Sequence, residues 1–223
     1  MKKHDDALIA MLLGEAPASP ELARWLATDT GRRELAAYRQ VLDALQALYG
    51  AARPRRAVYY CAVPTPIGRI LVAATEAGLV RVSFRCSEAS FTAELRERLD
   101  ADPVRSSERT AAIVHQLRAY FAGERRRFDV QVDLRHLTPF QRRVLMATAE
   151  VPAGQVVSYG EIARRIGRPR GSRAVGQALG HNPVPIVVPC HRVVAAGGLG
   201  GYTGGLDIKR KLLRLEGALA ATG

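Results

Sequence analysis

The sequence predicts an α+β protein, because its 223 residues divide into a helical N-terminal segment, a β-rich middle and a helical C-terminal part. Residues 1–54 carry apolar side chains at three- and four-residue steps, which is typical of amphipathic helices. Residues 57–137 open with short β-branched runs separated by turns that contain glycine and proline. Residues 138–223 contain two short helical stretches joined by a tight turn, the pattern of a helix-turn-helix.

The first segment, residues 1–54, is predicted to be helical throughout. A short helix over Asp5 to Leu13 precedes a second helix that begins at Pro20, with Ser19 as its N-cap. One apolar stripe at helical spacing predicts a third helix: Leu35, Tyr38, Leu42, Leu45 and Leu48. Proline and charge in residues 51–56 then predict a linker. We interpret the segment as an extension that packs on the chain or docks a protein partner.

The middle segment, residues 57–137, is predicted to begin as an antiparallel meander. Strands are expected over Val58 to Val63, Arg69 to Ala74 and Leu79 to Phe84, helices over Phe91 to Leu99 and Glu108 to Phe121, and a last strand over Arg127 to Val132. A metal site needs several ligands at close spacing. The isolated cysteines and histidines of this segment are therefore interpreted as structural: Cys61, Cys86, His115 and His136.

The third segment, residues 138–223, carries the helix-turn-helix pattern. Thr138 is the expected N-cap of a helix that begins at Pro139. A short helix from Tyr159 to Gly167 is followed by a turn, and Ser172 is the expected cap of a second helix that runs to about Gly180.

The second helix of this motif has few long side chains. Its small residues, which let a backbone come close to a partner, are Ala174, Gly176, Ala178 and Gly180. Only Arg173 and Gln177 could reach base edges, so the helix can read little sequence in a major groove. Close packing of this helix inside the domain is the alternative explanation.

Charge and composition indicate a nucleic-acid partner and a reducing compartment. The net charge of +12 is uneven, since residues 138–223 alone carry twelve basic and four acidic residues. A positive surface attracts polyanions. Apolar runs are too short to span a bilayer, so no membrane association is expected. Three widely spaced cysteines argue against a disulfide framework and for the cytoplasm.

The residues with the clearest chemical potential follow an apolar run over Val184 to Val188, which is predicted to be a strand. After Pro189 the chain presents Cys190, with His191 and Arg192 directly behind it. Neighbouring cations and hydrogen-bond donors increase the thiolate fraction of a cysteine, and the thiolate is the nucleophile. Acyl transfer, redox cycling and alkyl capture are the candidate reactions. Redox cycling is disfavoured because the other cysteines lie more than a hundred residues away.

A longer set of motifs resembles one family, the methylated-DNA–protein-cysteine methyltransferases, also called O6-alkylguanine-DNA alkyltransferases. The resemblance covers Thr138 to Gly217, in the family's order and spacing. It rests on Ser158 to Ala163, Arg173 to Gly176, Asn182 to Ile186, Pro189 to Val193, Gly201 to Leu206 and Lys211 to Gly217. Residues 57–137 match more loosely, through Thr65 to Gly68. The resemblance implies a ribonuclease-H-like α+β domain over 57–137 and a winged helix-turn-helix-like DNA-binding and alkyl-acceptor domain over 138–223.

The resemblance also implies a catalytic role for five residues. Cys190 would attack the O6-alkyl carbon and keep the alkyl group as a thioether. His191 would accept the thiol proton through a water molecule, and Glu216 would orient that histidine. Asn182 would hold the local turn in place, and Tyr159 would donate a hydrogen bond at guanine N3.

Further residues are implied in binding. A guanine inside a duplex cannot reach a buried thiolate, so the nucleotide must swing out of the stack. Arg173 would fill the gap left behind. The expected DNA-binding set is Ser172, Arg173, Ala174, Gly176 and Gln177, and the expected substrate pocket is Pro185, Val193, Tyr202 and Thr203.

The expected reaction is direct reversal of DNA damage, with one turnover per molecule and no cofactor. The glycine-rich stretch from Gly198 has Thr203 at the third glycine position, which argues against a nucleotide or S-adenosylmethionine site. Some family members bind zinc, but the ligands are missing here, so no metal is expected. The expected partner is double-stranded DNA containing alkylated guanine, bound by a monomer in a bacterial cytoplasm, at the nucleoid. O4-alkylthymine stays open as a second substrate.

Three other functions stay open at this point. A protein that flags alkylated guanine without repairing it would not need Cys190. A regulator switched by alkylation would need a sensor domain with its own cysteines, which residues 1–54 lack. A cysteine hydrolase would need an acyl pocket and multiple turnovers.

Overall fold

The computed structural model describes residues 4–12, 17–49 and 55–220, and of residues 45–49 the backbone alone. The chain forms two compact units, Met1–Pro54 and Arg55–Gly223. Within the described residues, no helix combines the length and apolar character needed to cross a bilayer.

The first unit is helical, as predicted. It contains α1 (Asp5–Leu12), α2 (Pro20–Leu26) and α3 (Asp29–Tyr49). Ser19 caps α2, since its Oγ accepts a hydrogen bond from the Leu22 amide at 3.1 Å. The predicted stripe on α3 is half-buried at Leu35, Tyr38 and Leu42. Its last two side chains, the predicted end of α1 at Leu13 and most of the predicted linker lie outside the described residues.

The second unit begins with a four-stranded sheet, ordered β3-β2-β1-β4. Its strands and the helices between and after them are β1 (Arg56–Val63), β2 (Ile70–Thr75), β3 (Gly78–Phe84), α4 (Glu88–Leu99), β4 (Ala101–Arg105) and α5 (Ala111–Phe121). Strands β1 to β3 form the predicted antiparallel meander, and β4 pairs in parallel with β1. The sequence did not predict β4, because it contains Pro103; an edge strand tolerates a proline since only one of its sides is paired.

The strand predicted over Arg127 to Val132 is wrong. This segment makes only an isolated bridge from Val132 to Leu79. Beside the backbone bond from the Leu79 amide to the Gln131 carbonyl at 2.9 Å, the Asp129 amide donates to a side chain, Oε1 of Gln116, at 2.9 Å.

The rest of the second unit is mainly helical. It comprises α6 (Pro139–Ala149), β5 (Val157–Ser158), α7 (Tyr159–Arg165), α8 (Ser172–Gly180), a 3₁₀ turn (Cys190–Arg192), β6 (Val193–Val194) and α9 (Leu206–Leu215). Thr138 caps α6 in a reciprocal capping box with Gln141. Ser172 is not the cap of α8: Gly171 occupies the N-cap position and no side chain bonds there.

The strand predicted over Val184 to Val188 is also wrong. Pro183, Pro185 and Pro189 supply no amide hydrogens to a sheet, and Ile186 has a φ of 75°. The segment folds as successive turns with one isolated bridge between Pro185 and Val188. The 3₁₀ turn follows directly after these turns.

The two faces of the sheet serve different purposes. Alternate residues, among them Val58, Leu71 and Val80, pack against α4. The opposite face shares one core with the C-terminal helices, and this core includes Cys61, Val72, Leu145, Ile162, Val193 and Leu212. The sheet therefore forms a rigid support beneath the 3₁₀ turn.

Candidate active site

Cys190 begins the 3₁₀ turn and is 6% exposed. Asn182 anchors it: Nδ2 of Asn182 donates to Sγ of Cys190 at 3.1 Å and to the Val188 carbonyl at 2.9 Å. Oδ1 of the same side chain accepts from the Val184 amide at 3.0 Å. One buried amide therefore fixes both the turns before the cysteine and the sulfur itself.

The Cys190 thiol is protonated at neutral pH. Burial raises its pKa to about 11, although the hydrogen bond from Asn182 and the nearby Lys209 ammonium act in the opposite direction. A thiol is a weak nucleophile compared with its thiolate. Chemistry at this sulfur therefore requires a base that removes the proton at the moment of reaction.

His191, the next residue, has the properties of that base. It is fully buried, and its Nε2 lies 2.9 Å from Oε1 of Glu216. A carboxylate partner assigns the proton to Nε2, which leaves Nδ1 as an acceptor. Among the described residues, Nδ1 is buried without a hydrogen-bond partner. Burial lowers the pKa of His191, opposed by the hydrogen bond to Glu216, so the ring is neutral and able to take a proton.

Glu216, directly after α9, accepts hydrogen bonds at both oxygens. Arg192 donates from Nε to Oε2 at 2.9 Å and from Nη2 to Oε1 at 2.8 Å. Tyr120 donates its hydroxyl to Oε1 at 2.6 Å. Burial alone would raise the pKa of Glu216, but the bonds from His191, Arg192 and Tyr120 hold it far below its usual range. The carboxylate is thus ionised at neutral pH.

Lys209 on α9 is a buried cation that sequence reasoning missed. It is fully buried, and its Nζ donates to the carbonyls of Val193, Leu199 and Gly201 at 2.7, 2.5 and 3.2 Å. Burial lowers its pKa to about 8, opposed by the Cys190 sulfur. A signal was present, because Lys209 lies beside Ile208 on the buried face of an amphipathic helix.

We expect Lys209→Met to destabilise the second unit by about 3 kcal/mol, because the substitution leaves buried carbonyls without a donor. The free energy of unfolding from urea titration measures this. The matched control is Lys211→Met, which removes an exposed lysine from the same helix. Equal urea midpoints for the two variants would contradict the assigned role.

A cavity of about 170 Å³ opens onto Cys190. Its lining is Tyr159, Gly176, Leu179, Gly180, Cys190, Gly201, Tyr202 and Thr203. Tyr159, Tyr202 and Thr203 were predicted to contact substrate, and they come together here. Pro185 and Val193 do not line the cavity, because both are buried in the core.

Tyr159 and the loop after β6 shape this cavity. The Tyr159 hydroxyl lies 3.5 Å from the Gly201 carbonyl, the outer limit of a hydrogen bond. Gly200 has a φ of 68°, and a Cβ there would lie 2.9 Å from the Tyr159 ring and hydroxyl. Glycine is thus required where the loop crosses the tyrosine. Burial raises the pKa of Tyr159, so its phenol stays a hydrogen-bond donor.

Helix α8 forms one wall of the cavity, through Gly176, Leu179 and Gly180. Its residues Val175, Ala178 and Leu179 are buried, whereas Arg173, Ala174 and Gln177 are exposed on the opposite face. Gly176 lies between these faces at the cavity, and Ser172 is half-buried near Gly160. The five residues predicted to bind DNA therefore occupy one helix, three of them on its exposed face.

The described residues contain no group of three or more histidine, cysteine, aspartate or glutamate side chains placed to hold a metal ion. Cys61 lies in the core under the sheet and Cys86 follows β3, and both are free thiols. His115 and His136 belong to no such group.

Two family models match the second unit in sequence order. Residues 58–134 match the ribonuclease-like domain of 6-O-methylguanine DNA methyltransferase, and residues 139–218 match its DNA-binding domain. Together they cover more than half of the chain. Residues 1–54 lie outside both.

Individual relatives agree with the family models. The methylated-DNA–protein-cysteine methyltransferase of Mycobacterium tuberculosis H37Rv is 46% identical over 160 residues, covering 71% of this chain and 92% of the relative. The corresponding protein of Methanosarcina acetivorans is 44% identical over 162 residues, covering 72% of this chain and 99% of the relative.

Solved structures with the same kind of name also resemble this chain. The crystal structure of Mycobacterium tuberculosis O6-methylguanine methyltransferase has a TM-score of 0.62 at 43% identity, covering 74% of this chain and 96% of that one. That of Mycobacterium tuberculosis OGT in complex with DNA has a TM-score of 0.61 at 42% identity, covering 71% and 92%. The predicted resemblance and the α+β fold class are therefore confirmed, and the chain belongs to the 6-O-methylguanine DNA methyltransferase family.

Proposed function

We propose that this chain repairs O6-alkylguanine in DNA by moving the alkyl group onto Sγ of Cys190. Its family consists of DNA-binding methylated-DNA–protein-cysteine methyltransferases, which act by direct repair. The observation that carries the assignment to Cys190 is its position on the cavity, with a buried imidazole acceptor beside it and an ionised carboxylate behind that imidazole.

The transfer is a displacement at the alkyl carbon. The thiol proton passes through a water molecule to Nδ1 of His191 as the sulfur attacks. A carbon–sulfur bond forms, the bond from carbon to guanine O6 breaks, and its electron pair stays on the guanine. Glu216 stabilises the imidazolium, as the third member of a hydrolytic triad does. Asn182 holds the sulfur in line with its target.

The departing guanine is an anion that needs hydrogen-bond donors. The neutral phenol of Tyr159 would donate at guanine N3, and backbone groups near Tyr202 and Thr203 would address O6. The cavity is below the roughly 300–1,000 Å³ of pockets for drug-sized ligands. It therefore favours a single base over a larger ligand.

DNA would bind along the exposed face of α8. A base can enter the cavity only after it leaves the duplex, at a cost of a few kcal/mol. Arg173, exposed at the start of α8, would occupy the space left in the stack. The small residues Ala174 and Gly176 let the helix settle in a groove, with phosphate contacts dominating the affinity.

The product is a thioether, which offers no easy hydrolytic exit, so each molecule reacts once and needs no cofactor. We assign alkyl acceptance and DNA binding to residues 138–223 and the supporting ribonuclease-like domain to residues 57–137. Residues 1–54, which lie outside both family matches, are assigned to a helical extension. The free cysteines fit a reducing cytoplasm, where the protein would act as a monomer on double-stranded DNA.

The decisive experiment is a mass measurement. The protein is incubated with a duplex containing O6-methylguanine, and intact protein and tryptic peptides are weighed. We expect one methyl group on the Cys190 peptide, none on the Cys61 or Cys86 peptides, and a repaired-base yield that plateaus at the amount of protein. A duplex with unmodified guanine is the control. An unmodified Cys190, or repair in excess of protein, would refute the proposal.

A further inference from the structure

Tyr120 connects the ribonuclease-like domain to the reacting groups. We propose that Tyr120 is a positioning residue for alkyl transfer, acting on His191 through Glu216 without touching the substrate. This inference rests on the function proposed above. It assigns part of the active-site geometry to a domain that contributes no group to the cavity lining.

The Tyr120 side chain has one fixed location. It lies on α5 and is 1% exposed. Its ring contacts those of Phe121 and Phe128, with centroid separations of 5.3 and 5.4 Å. Because the ring cannot shift without disturbing both neighbours, the hydroxyl is presented to Glu216 at a set position, 2.6 Å from Oε1.

That same oxygen holds the catalytic histidine. Oε1 of Glu216 is the atom that lies 2.9 Å from Nε2 of His191, and Arg192 also donates to it. The tyrosine therefore determines where Oε1 lies, and Oε1 determines the ring orientation of His191. With the proton kept on Nε2, Nδ1 remains the acceptor that Cys190 requires.

Arg192 alone would leave the carboxylate less constrained. Its donors reach both oxygens of Glu216, but they come from the same 3₁₀ turn that carries His191, so they tie the carboxylate to that turn alone. Of the described residues 55–137, Tyr120 is the one whose side chain hydrogen-bonds Glu216. A donor from an independent element removes the remaining freedom, as in the outer-shell partners of metal-bound histidines.

The hydroxyl also tunes the charge of the site. Burial and the adjacent Glu216 raise the pKa of Tyr120 far above its usual range, so it remains a donor. The hydrogen bond from Tyr120 reduces the negative charge on Glu216 and so weakens its attraction for a protonated His191. Loss of this hydrogen bond should therefore make His191 more basic. The other titratable or charged groups facing this trio are Cys190, Arg192, Tyr202, Lys209 and Arg126.

The test is Tyr120→Phe, which keeps the ring and removes only the hydroxyl. Methyl transfer to Cys190 is measured in single-turnover reactions between about pH 4.5 and 9, a range that extends below the lowered pKa of His191. We expect the rate constant to fall about tenfold at neutral pH, the effect of one lost hydrogen bond to a charged group. DNA affinity should not change. The rising limb of the pH profile should move to higher pH, because a more basic His191 stays protonated longer.

A matched control comes from the other face of the sheet. Tyr60→Phe removes the hydroxyl of a half-buried tyrosine that packs against Phe91, and it should react like the parent protein. A second variant carries 3-fluorotyrosine at position 120, a stronger donor of nearly the same shape. It should fold like the parent and move the rising limb to lower pH.

Two results would overturn the inference. Tyr120→Phe and the fluorinated variant could both keep the parent rate and pH profile. Alternatively, Tyr120→Phe could slow transfer by the same factor at every pH, and by that same factor in a protein that already carries Glu216→Gln. Tyr120 would then be a packing residue that acts independently of Glu216. The proposed function fails separately, when the parent protein itself gains no methyl on Cys190.

Discussion

Replacing Cys190 with alanine is expected to abolish alkyl transfer, with a loss of at least about 10⁴-fold relative to the parent protein. Among the described residues, no other cysteine lines the cavity. Cys61 is buried under the sheet and Cys86 lies beyond the end of β3. Neither can replace the missing sulfur. The measurement is conversion of O6-methylguanine to guanine in a duplex with protein in excess.

The matched control is Cys86→Ala, which removes a half-buried thiol elsewhere in the same unit and should leave transfer unchanged. The Cys190→Ala protein should keep its DNA affinity, because the side chain is 6% exposed and lies below the exposed face of α8. Residual repair by this variant would mean that the alkyl acceptor is another residue.

Local sequence signals predicted most of the fold. Short β-rich runs separated by turns located β1, β2 and β3, and Thr138 before Pro139 located the start of α6. The two wrong strands lie where the backbone forms turns or isolated bridges. The apolar run over Val184 to Val188 contains Pro185 and is flanked by two further prolines, which have no amide hydrogen. The segment before Val132 makes one bridge to Leu79, and its Asp129 amide bonds to the Gln116 side chain.

The candidate site was predictable where its members are close in sequence. Cys190 and His191 are adjacent, and Asn182 lies eight positions away, so one motif contains them. Tyr120 lies 96 positions from Glu216, and nothing in its local sequence marks its hydroxyl as the partner of a carboxylate. The buried position of Lys209 was not predicted for another reason, since a lysine on a helix is usually exposed to solvent. Both become visible only when tertiary packing supplies their acceptors.

The same packing explains why the cysteine can be stable yet reactive. Burial that raises the pKa of Cys190 to about 11 keeps the sulfur protonated in the resting protein. At neutral pH only about one molecule in 10⁴ would carry a thiolate by simple ionisation, a difference of four pH units. Rapid transfer therefore depends on a base that acts within the complex, and we propose that His191 is this base.

His191→Gln is accordingly expected to slow transfer by about 10²–10⁴-fold at neutral pH, the range that general-base catalysis contributes. The variant must rely on thiolate formed by solvent, so its rate should rise about tenfold per pH unit up to the pKa of the thiol. The parent protein should have a flatter profile. Its rate should fall only when the pH drops below the pKa of His191, which burial lowers from its ordinary value.

Single-turnover rates measured at several pH values would test this dependence, with His115→Gln as a control at an exposed position on α5. Glutamine can still accept a hydrogen bond but cannot take a proton at these pH values. It therefore separates proton transfer from simple positioning of the sulfur. A His191→Gln protein that matched the parent rate, or whose rate did not depend on pH, would show that Cys190 loses its proton by another route. Lys209, whose charge lowers the pKa of Cys190, would be the next residue to examine.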